Sequence, residues 1–360
     1  MIPQKNIEKQ NVSFPYHLGR MIWRMPFRFG MAKVLGFGYF VRCVLFHNVA
    51  DEPSEFTSGL GSTVSRQEFE NVIQFLSKHY TPVRLSDVVG NSRGRKFPRP
   101  PVLVTFDDAY ASVALEAAPI LQRHGVPAIF FVNASAVGNQ DLLLDNLICY
   151  VANTSGLGLV CSVARGIAGR KDLALNSLDQ VFSEFLSALP QTAVREFRAS
   201  LASAAGIDTS ELARQAQLHV DTDQLRSLVS SGFEIGNHTY SHVFCRSLQG
   251  EDFDREIVLN KTQLESITGK PVRAFSVPYG NSEDLTDELL NHLHRSGHEA
   301  TFLVESCSNT PDTDLDHLNR VSIHAVTNPD LFAEIEICPR LRSIRNLLTA
   351  RKAAAHPRAS

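Results

Sequence analysis

Four stretches of helical periodicity in this chain each stop on a glycine and lead at once into an apolar run. Residues 112–124 stop at Gly125 before Ala128 to Val132, and residues 222–231 stop at Gly232 before Phe233 to Ile235. Residues 253–268 stop at Gly269 before Val272 to Phe275, and residues 283–296 stop at Gly297 before Ala300 to Val304. Glycine takes the left-handed conformation that closes a helix without steric cost. Repeated helix–glycine–strand units require parallel strands, because parallel neighbours can be joined only by a crossover. With this many units in 360 residues, a closed or nearly closed barrel is favoured over an open doubly wound sheet, since α/β barrels of about 250 residues form single domains.

The barrel reading starts near residue 41. Val41 to Phe46 reads as a buried strand ending in His47, and Ser65 with Glu68 forms a capping box that opens a helix whose apolar face is Phe69, Val72, Ile73 and Leu76. Pro98, Pro100 and Pro101 punctuate the chain before a strand at 102–106, and a late strand is expected at 321–323, introduced by Arg320. Residues 140–220 break the rhythm; they are rich in Leu, Ala and Ser and read as a mostly helical insertion, either a lid at the barrel mouth or a cover for its wall. The expected organisation is an N-terminal basic and aromatic extension (1–40), a barrel domain (41–335, with the insertion at 140–220) and a C-terminal tail (336–360) whose end, 351–360, is polar and unstructured.

Composition narrows the function classes. With 43% hydrophobic and 20% charged residues the chain has enough apolar material for a sizeable core. A net charge of −3 provides no basic field to attract nucleic acid, so none is expected as a partner. Six cysteines lie scattered without CxxC spacing, which suits buried thiols in a reducing compartment rather than a disulfide framework. In residues 1–30, Arg20, Arg24 and Arg28 interrupt Met21, Ile22, Trp23, Phe27 and Phe29, so the segment is neither a secretory h-region nor a membrane span. It is a candidate for peripheral contact with a membrane surface, or a helix that packs its aromatics on the domain. A cytoplasmic location, with membrane association through residues 1–40 as the variant, is the expectation.

The polar residues that carry chemistry all follow apolar strands. Asp107 and Asp108 follow 102–106, His238 and His242 follow 233–236, and Pro278-Tyr279-Gly280 follows 272–276. Functional groups of parallel α/β barrels gather at the carboxyl ends of strands, so three segments point at one mouth. Asp108, His238 and His242 supply an O,N,N set for one divalent ion, with a position left open for water or substrate. The set suits zinc, and a more octahedral version accepts cobalt, nickel or manganese. The two histidines share one side of a helical turn if the chain is helical after Asn237. The ion would lower the pKa of its water, and Asp107 is free to take the proton.

On these residues the chain resembles the polysaccharide deacetylase (NodB-homology, carbohydrate esterase family 4) group. Thr105-Phe106-Asp107-Asp108 matches its TFDD motif, His238-Thr239-Tyr240-Ser241-His242 its H-[ST]-x-x-H motif, and Pro278-Tyr279-Gly280 the end of its Arg-Pro-Pro-Tyr-Gly motif. The resemblance implies a distorted (β/α) barrel and metal-dependent removal of N- or O-acetyl groups from an acetylated glycan or a lipid-linked amino sugar. It implies Asp107 as base, Asp108, His238 and His242 as ligands, and Tyr279 and Pro278 in the substrate pocket, with the Tyr279 N–H a candidate oxyanion donor. There are departures. Ala109 stands where glycine is usual, and Ser276 where the arginine that supports the base is expected, leaving Arg273 or Arg320 for that task. The general-acid motif has no clean match, and His324, after the strand 321–323, is taken for that role; His47 resembles a histidine near the start of many bacterial members. The competing readings are a deformylase or other C–N hydrolase on a smaller substrate, and a glycan-binding relative without catalysis.

Overall fold

The computed structural model describes residues 14–26, 28–30, 40–90, 97–170 and 172–355. Within the expected N-terminal extension, residues 1–13, Phe27 and 31–39 therefore lie outside the described residues, as do 356–360 of the tail. Seven strands form the barrel: β1 (Arg42–Phe46), β2 (Pro101–Phe106), β3 (Ala128–Val132), β4 (Glu234–Asn237), β5 (Ala274–Ser276), β6 (Ala300–Leu303) and β7 (Leu318–Ser322). Every pairing is parallel, each strand lies beside its neighbours in sequence, and β7 returns to β1, which also pairs with β2 and closes the ring. The distorted (β/α) barrel read from the sequence is the fold observed.

Alternation along the strands sorts their side chains. Phe131 of β3 and Phe302 of β6 belong to strands that are not neighbours, yet their rings lie 5.4 Å apart, so they meet across the lumen. Cys43, Leu103, Ile129 and Ala274 pack with them. The intervening residues Val44, Val104, Phe106 and Phe130 face outward into a second core beneath the helices. The period of two along each strand produces these two layers. Gly125, Gly232, Gly269 and Gly297 all have φ between +64° and +88°, as their helix-ending places require.

Helices α1 (Phe14–Trp23), α2 (Arg66–His79), α3 (Leu144–Val151), α4 (Asn328–Phe332) and α5 (Cys338–Ala355) matter most for the site. The capping box opens α2 as expected: the Glu68 N–H donates to Ser65 Oγ, and the Ser65 N–H donates to the Glu68 carboxylate. The predicted face of α2, Phe69, Val72, Ile73 and Leu76, is buried. α1 packs against the segment that begins with α4. Gly19 permits the approach, because a Cβ there would meet the Ala333 Cβ at 2.3 Å. Arg20 donates two hydrogen bonds to Asp330, at 2.6 and 3.0 Å, and Trp23 packs 5.7 Å from Phe332. This is the packing alternative drawn from the sequence, with Phe14 and Met21 remaining on the surface.

α3 opens a block of helices between β3 and β4. Leu144–Ala168 is a helical run of 25 residues, long and apolar enough to cross a membrane by length and composition. Its Leu147, Ile148 and Val160 pack with Phe182, Phe185 and Phe197 in a core of their own. α5 runs to residue 355, so helix extends into the stretch expected to be unstructured. The cysteines among the described residues are all free thiols, four of them buried.

Candidate active site

All seven strands run the same way, so one mouth carries every C-terminal end, and a cavity of about 640 Å³ opens there. Asp107, His238, His242 and Tyr279 line it, as do His47 and His324. Asp107 and Asp108 follow β2 directly, and both are buried. They point in different directions because the backbone turns sharply: Asp108 has φ +66° and Ala109 +47°. The left-handed conformation of Ala109 explains why glycine is the usual residue there. Thr239, His242 and Tyr279 also have positive φ, at +61°, +57° and +61°. Such conformations cost about 1–3 kcal/mol each and cluster where surrounding structure imposes them.

The helical turn expected after Asn237 is not what unites the two histidines. Residues 238–244 form no helix, and the chain instead makes an irregular turn with its left-handed residues at Thr239 and His242. Side chains hold this turn. Asn133, at the end of β3, donates to the carbonyls of His238 and Thr239; Asn237 Oδ1 accepts from the Thr239 N–H at 3.0 Å; and Glu256 accepts from the N–H and hydroxyl of Ser241. The result sets the imidazole centroids 5.0 Å apart.

Their orientation follows from what each Nδ1 faces. His238 Nδ1 lies 2.8 Å from the Ser276 carbonyl, so it carries the proton and leaves Nε2 as an electron-pair donor. His242 Nδ1 lies 2.9 Å from Asp145 Oδ2. Both Nε2 atoms turn to Asp108 Oδ1, at 3.5 and 3.4 Å, and that oxygen is buried without a hydrogen-bond partner. Three ligand atoms about 2.05 Å from a tetrahedral zinc would stand about 3.3 Å apart. The donor types, the spacing and the orphaned oxygen fit a divalent cation held by Asp108, His238 and His242.

Asp107 is kept apart from that set. Arg320, wholly buried, donates Nη1 to Oδ1 and Nη2 to Oδ2 of Asp107, both at 2.7 Å. Nη2 also donates to Ser276 Oγ at 2.7 Å, whose hydroxyl reaches Asp107 Oδ2 at 3.2 Å. The small side chain of Ser276 leaves room for a guanidinium delivered from β7, where Arg320 is a strand residue rather than one that precedes the strand. Burial works to raise the Asp107 carboxyl, but the Arg320 charge, His238 and the guanidinium hydrogen bonds outweigh it and hold it below the usual carboxylate range. Burial likewise opposes ionisation of Asp108, and the imidazoles of His242, His238 and His47 overcome it.

Two residues named from the sequence lie elsewhere. Arg273 precedes β5, at the opposite end of the barrel, and pairs on the surface with Glu299 at 3.4 Å. Pro278 is buried within its turn and does not line the cavity. Tyr279 does line it; its ring stacks on Phe244 at 3.7 Å and its hydroxyl donates to Asp145 Oδ1 at 2.8 Å. His324 lines the cavity too, with its imidazole pKa lowered by the enclosing protein, and its backbone N–H donates to Glu334.

Asp145 is the residue that sequence reasoning missed. It sits on α3, and one carboxylate faces both an imidazole of the candidate cation set and the pocket tyrosine. Carboxylates behind ligating histidines fix ring orientation and raise donor strength, and losing one costs about 10–100-fold in metal affinity. Asp145→Asn is therefore expected to weaken metal binding by about that factor, read by competition with a chelating dye. Unchanged affinity would show that the contact is incidental.

Residues 94–301, more than half of the chain, match the family model for polysaccharide deacetylase. The chain belongs to the polysaccharide deacetylase family. Over 80 residues it is 30% identical to the poly-beta-1,6-N-acetyl-D-glucosamine N-deacetylase of Staphylococcus aureus, a stretch covering 22% of this chain and 28% of that protein. The match thus spans little more than a quarter of the curated relative. Among solved structures, the Streptococcus pyogenes deacetylase PplD in complex with acetate aligns with a TM-score of 0.56 at 14% identity, covering 84% of this chain and all of that one. IcaB from Ammonifex degensii aligns with a TM-score of 0.51 at 19% identity, covering 83% and 98%. At such identities the likeness is one of fold.

Proposed function

We propose that this member of the family removes N-acetyl groups from an amino sugar within a glycan, with Asp107 as general base and a divalent cation, Zn2+ in the first instance, held by Asp108, His238 and His242. One observation carries the reading: a spare carboxylate, clamped by a buried guanidinium, stands beside a three-donor set at the floor of an open cavity. Binding a glycan would not call for that second carboxylate. When bound, such a cation would supply a water of lowered pKa and would polarise the acetyl carbonyl. Asp107 takes the proton as the water oxygen bonds to the carbonyl carbon, and the Arg320 clamp keeps the carboxylate ionised for that step. The Tyr279 N–H is the backbone donor proposed for the oxyanion. When the C–N bond breaks, the nitrogen takes a proton and leaves as the free amine, with acetate as the other product.

For the group that delivers that proton, His324 and His47 are the two candidates, because both line the cavity. The charges of Asp107 and Asp108 act on the His47 imidazole. Burial pushes the His47 imidazole down to about 4.

The direct test is acetate release from N-acetylated chito-oligosaccharides. Activity is expected to disappear on chelation and to return with added Zn2+. Formate release from N-formyl sugars in place of acetate would move the assignment to deformylation. Substrate binding with no release of either acid, at full metal occupancy, would leave only a binding role.

A further inference from the structure

The cavity extends well beyond the carboxylate–imidazole floor, and α5 forms one of its walls. Cys338, Leu341, Arg342 and Arg345 all line it, a spacing of three, four and seven residues that puts them on one helix face spanning about 10 Å. Arg342 and Arg345 are both exposed to the open space, and among the described residues neither forms an ion pair. Arg342 Nη1 donates to the Glu305 carbonyl at 2.9 Å, which steadies the guanidinium without neutralising it.

The acidic side chains that line the cavity, Asp107 and Glu334, are already engaged by other groups. Asp107 is paired with Arg320, and Asp108 belongs to the cation set. Glu334 accepts from the N–H groups of His324 and Ala325 and from the Tyr16 hydroxyl, and burial raises its carboxyl to about 7. The charge that α5 itself adds to the cavity lining is therefore positive, with Glu305, whose carboxylate accepts from the Ser282 N–H, the acidic residue beside Arg342.

We propose that Arg342 and Arg345 form a subsite for an anionic group, a phosphate or a carboxylate, carried by the substrate whose amide is cleaved at the cavity floor. The inference rests on the deacetylase reading for its choice of sugar and adds the chemical class of that substrate. Guanidinium forks match the paired oxygens of both anions and bind them more strongly than neutral acceptors. A phosphate would belong to a sugar phosphate or a lipid diphosphate carrier, and a carboxylate to a uronic-acid unit of the glycan.

The test uses ligands that have no acyl group to lose, so it does not depend on turnover. Glucosamine 1-phosphate, a glucosaminyl–glucuronic acid disaccharide and methyl glucosaminide are titrated into the metal-loaded protein, its Arg342→Ala/Arg345→Ala double variant and Arg345→Glu. One of the two anions is expected to bind about tenfold tighter than the neutral glycoside, a difference of about 1.4 kcal/mol. That preference should vanish in both variants and shrink in concentrated salt, and the favoured anion identifies its source. Equal affinity for all three ligands, or no binding of any, would overturn the proposal. So would a preference that survives in the double variant, because the anion would then be held at the metal. Acetate release from neutral chito-oligosaccharides by the same preparation reports separately on the deacetylase reading.

Discussion

Asp107→Asn is expected to lower kcat for acetate release by about a thousandfold, within the range of a lost general base. Asparagine keeps the shape of the side chain and can still accept a hydrogen bond from Arg320, but it cannot take a proton from water. Metal stoichiometry should be unchanged, because Asp108, His238 and His242 do not include it. Binding of an amine product should also survive. A variant that holds metal and turns over at the parent rate would eliminate Asp107 as the base and move that role to another group of the cavity.

Arg320→Met is expected to produce the largest loss of stability. Arg320 and Asp107 are both buried and joined by two short hydrogen bonds. Removing one partner leaves the other charge uncompensated, which costs about 3–5 kcal/mol. The measurement is denaturant unfolding of the metal-free protein. The pair also has a pH signature. The Asp107 carboxyl is held below its ordinary value in the folded state, so its contribution is complete above that value, near pH 4. It is lost as pH falls through the depressed folded value. In Arg320→Met the carboxyl should rise, and with it the acid limb of the rate profile. Parent-like stability together with an unmoved acid limb would show that the guanidinium is dispensable.

Much of the architecture was readable because it follows from local rules. Helix ends at Gly125, Gly232, Gly269 and Gly297 demand positive φ, and apolar runs after them demand strands; parallel closure follows from the connections. The location of Asp107, Asp108, His238 and His242 was readable for the same reason, since strand ends share a mouth. Where spacing alone was used, it failed. Arg273 lies three residues from Ser276, but it precedes the strand and therefore sits at the far end of the barrel. His238 and His242 have helical spacing, yet a network of asparagines and Glu256 holds them in a turn that leaves no trace in periodicity. Asp145 had no motif to mark it. Its role arises from how a helix folds back over the mouth, a long-range packing event that no local signal encodes.

The cleft is bordered by both early and late parts of the sequence: Pro15 and Tyr16 from α1, and Cys338 through Arg345 from α5. Under the proposed function, trimming the protein to its strands and their crossovers would keep the carboxylate–imidazole floor and remove much of the surface that would select what reaches it. Such a shortened enzyme would become less discriminating before it became inactive. On the reading proposed above, affinity handles fused close to either helix would likewise alter which sugars are accepted, so substrate surveys call for handles placed on the opposite face of the barrel.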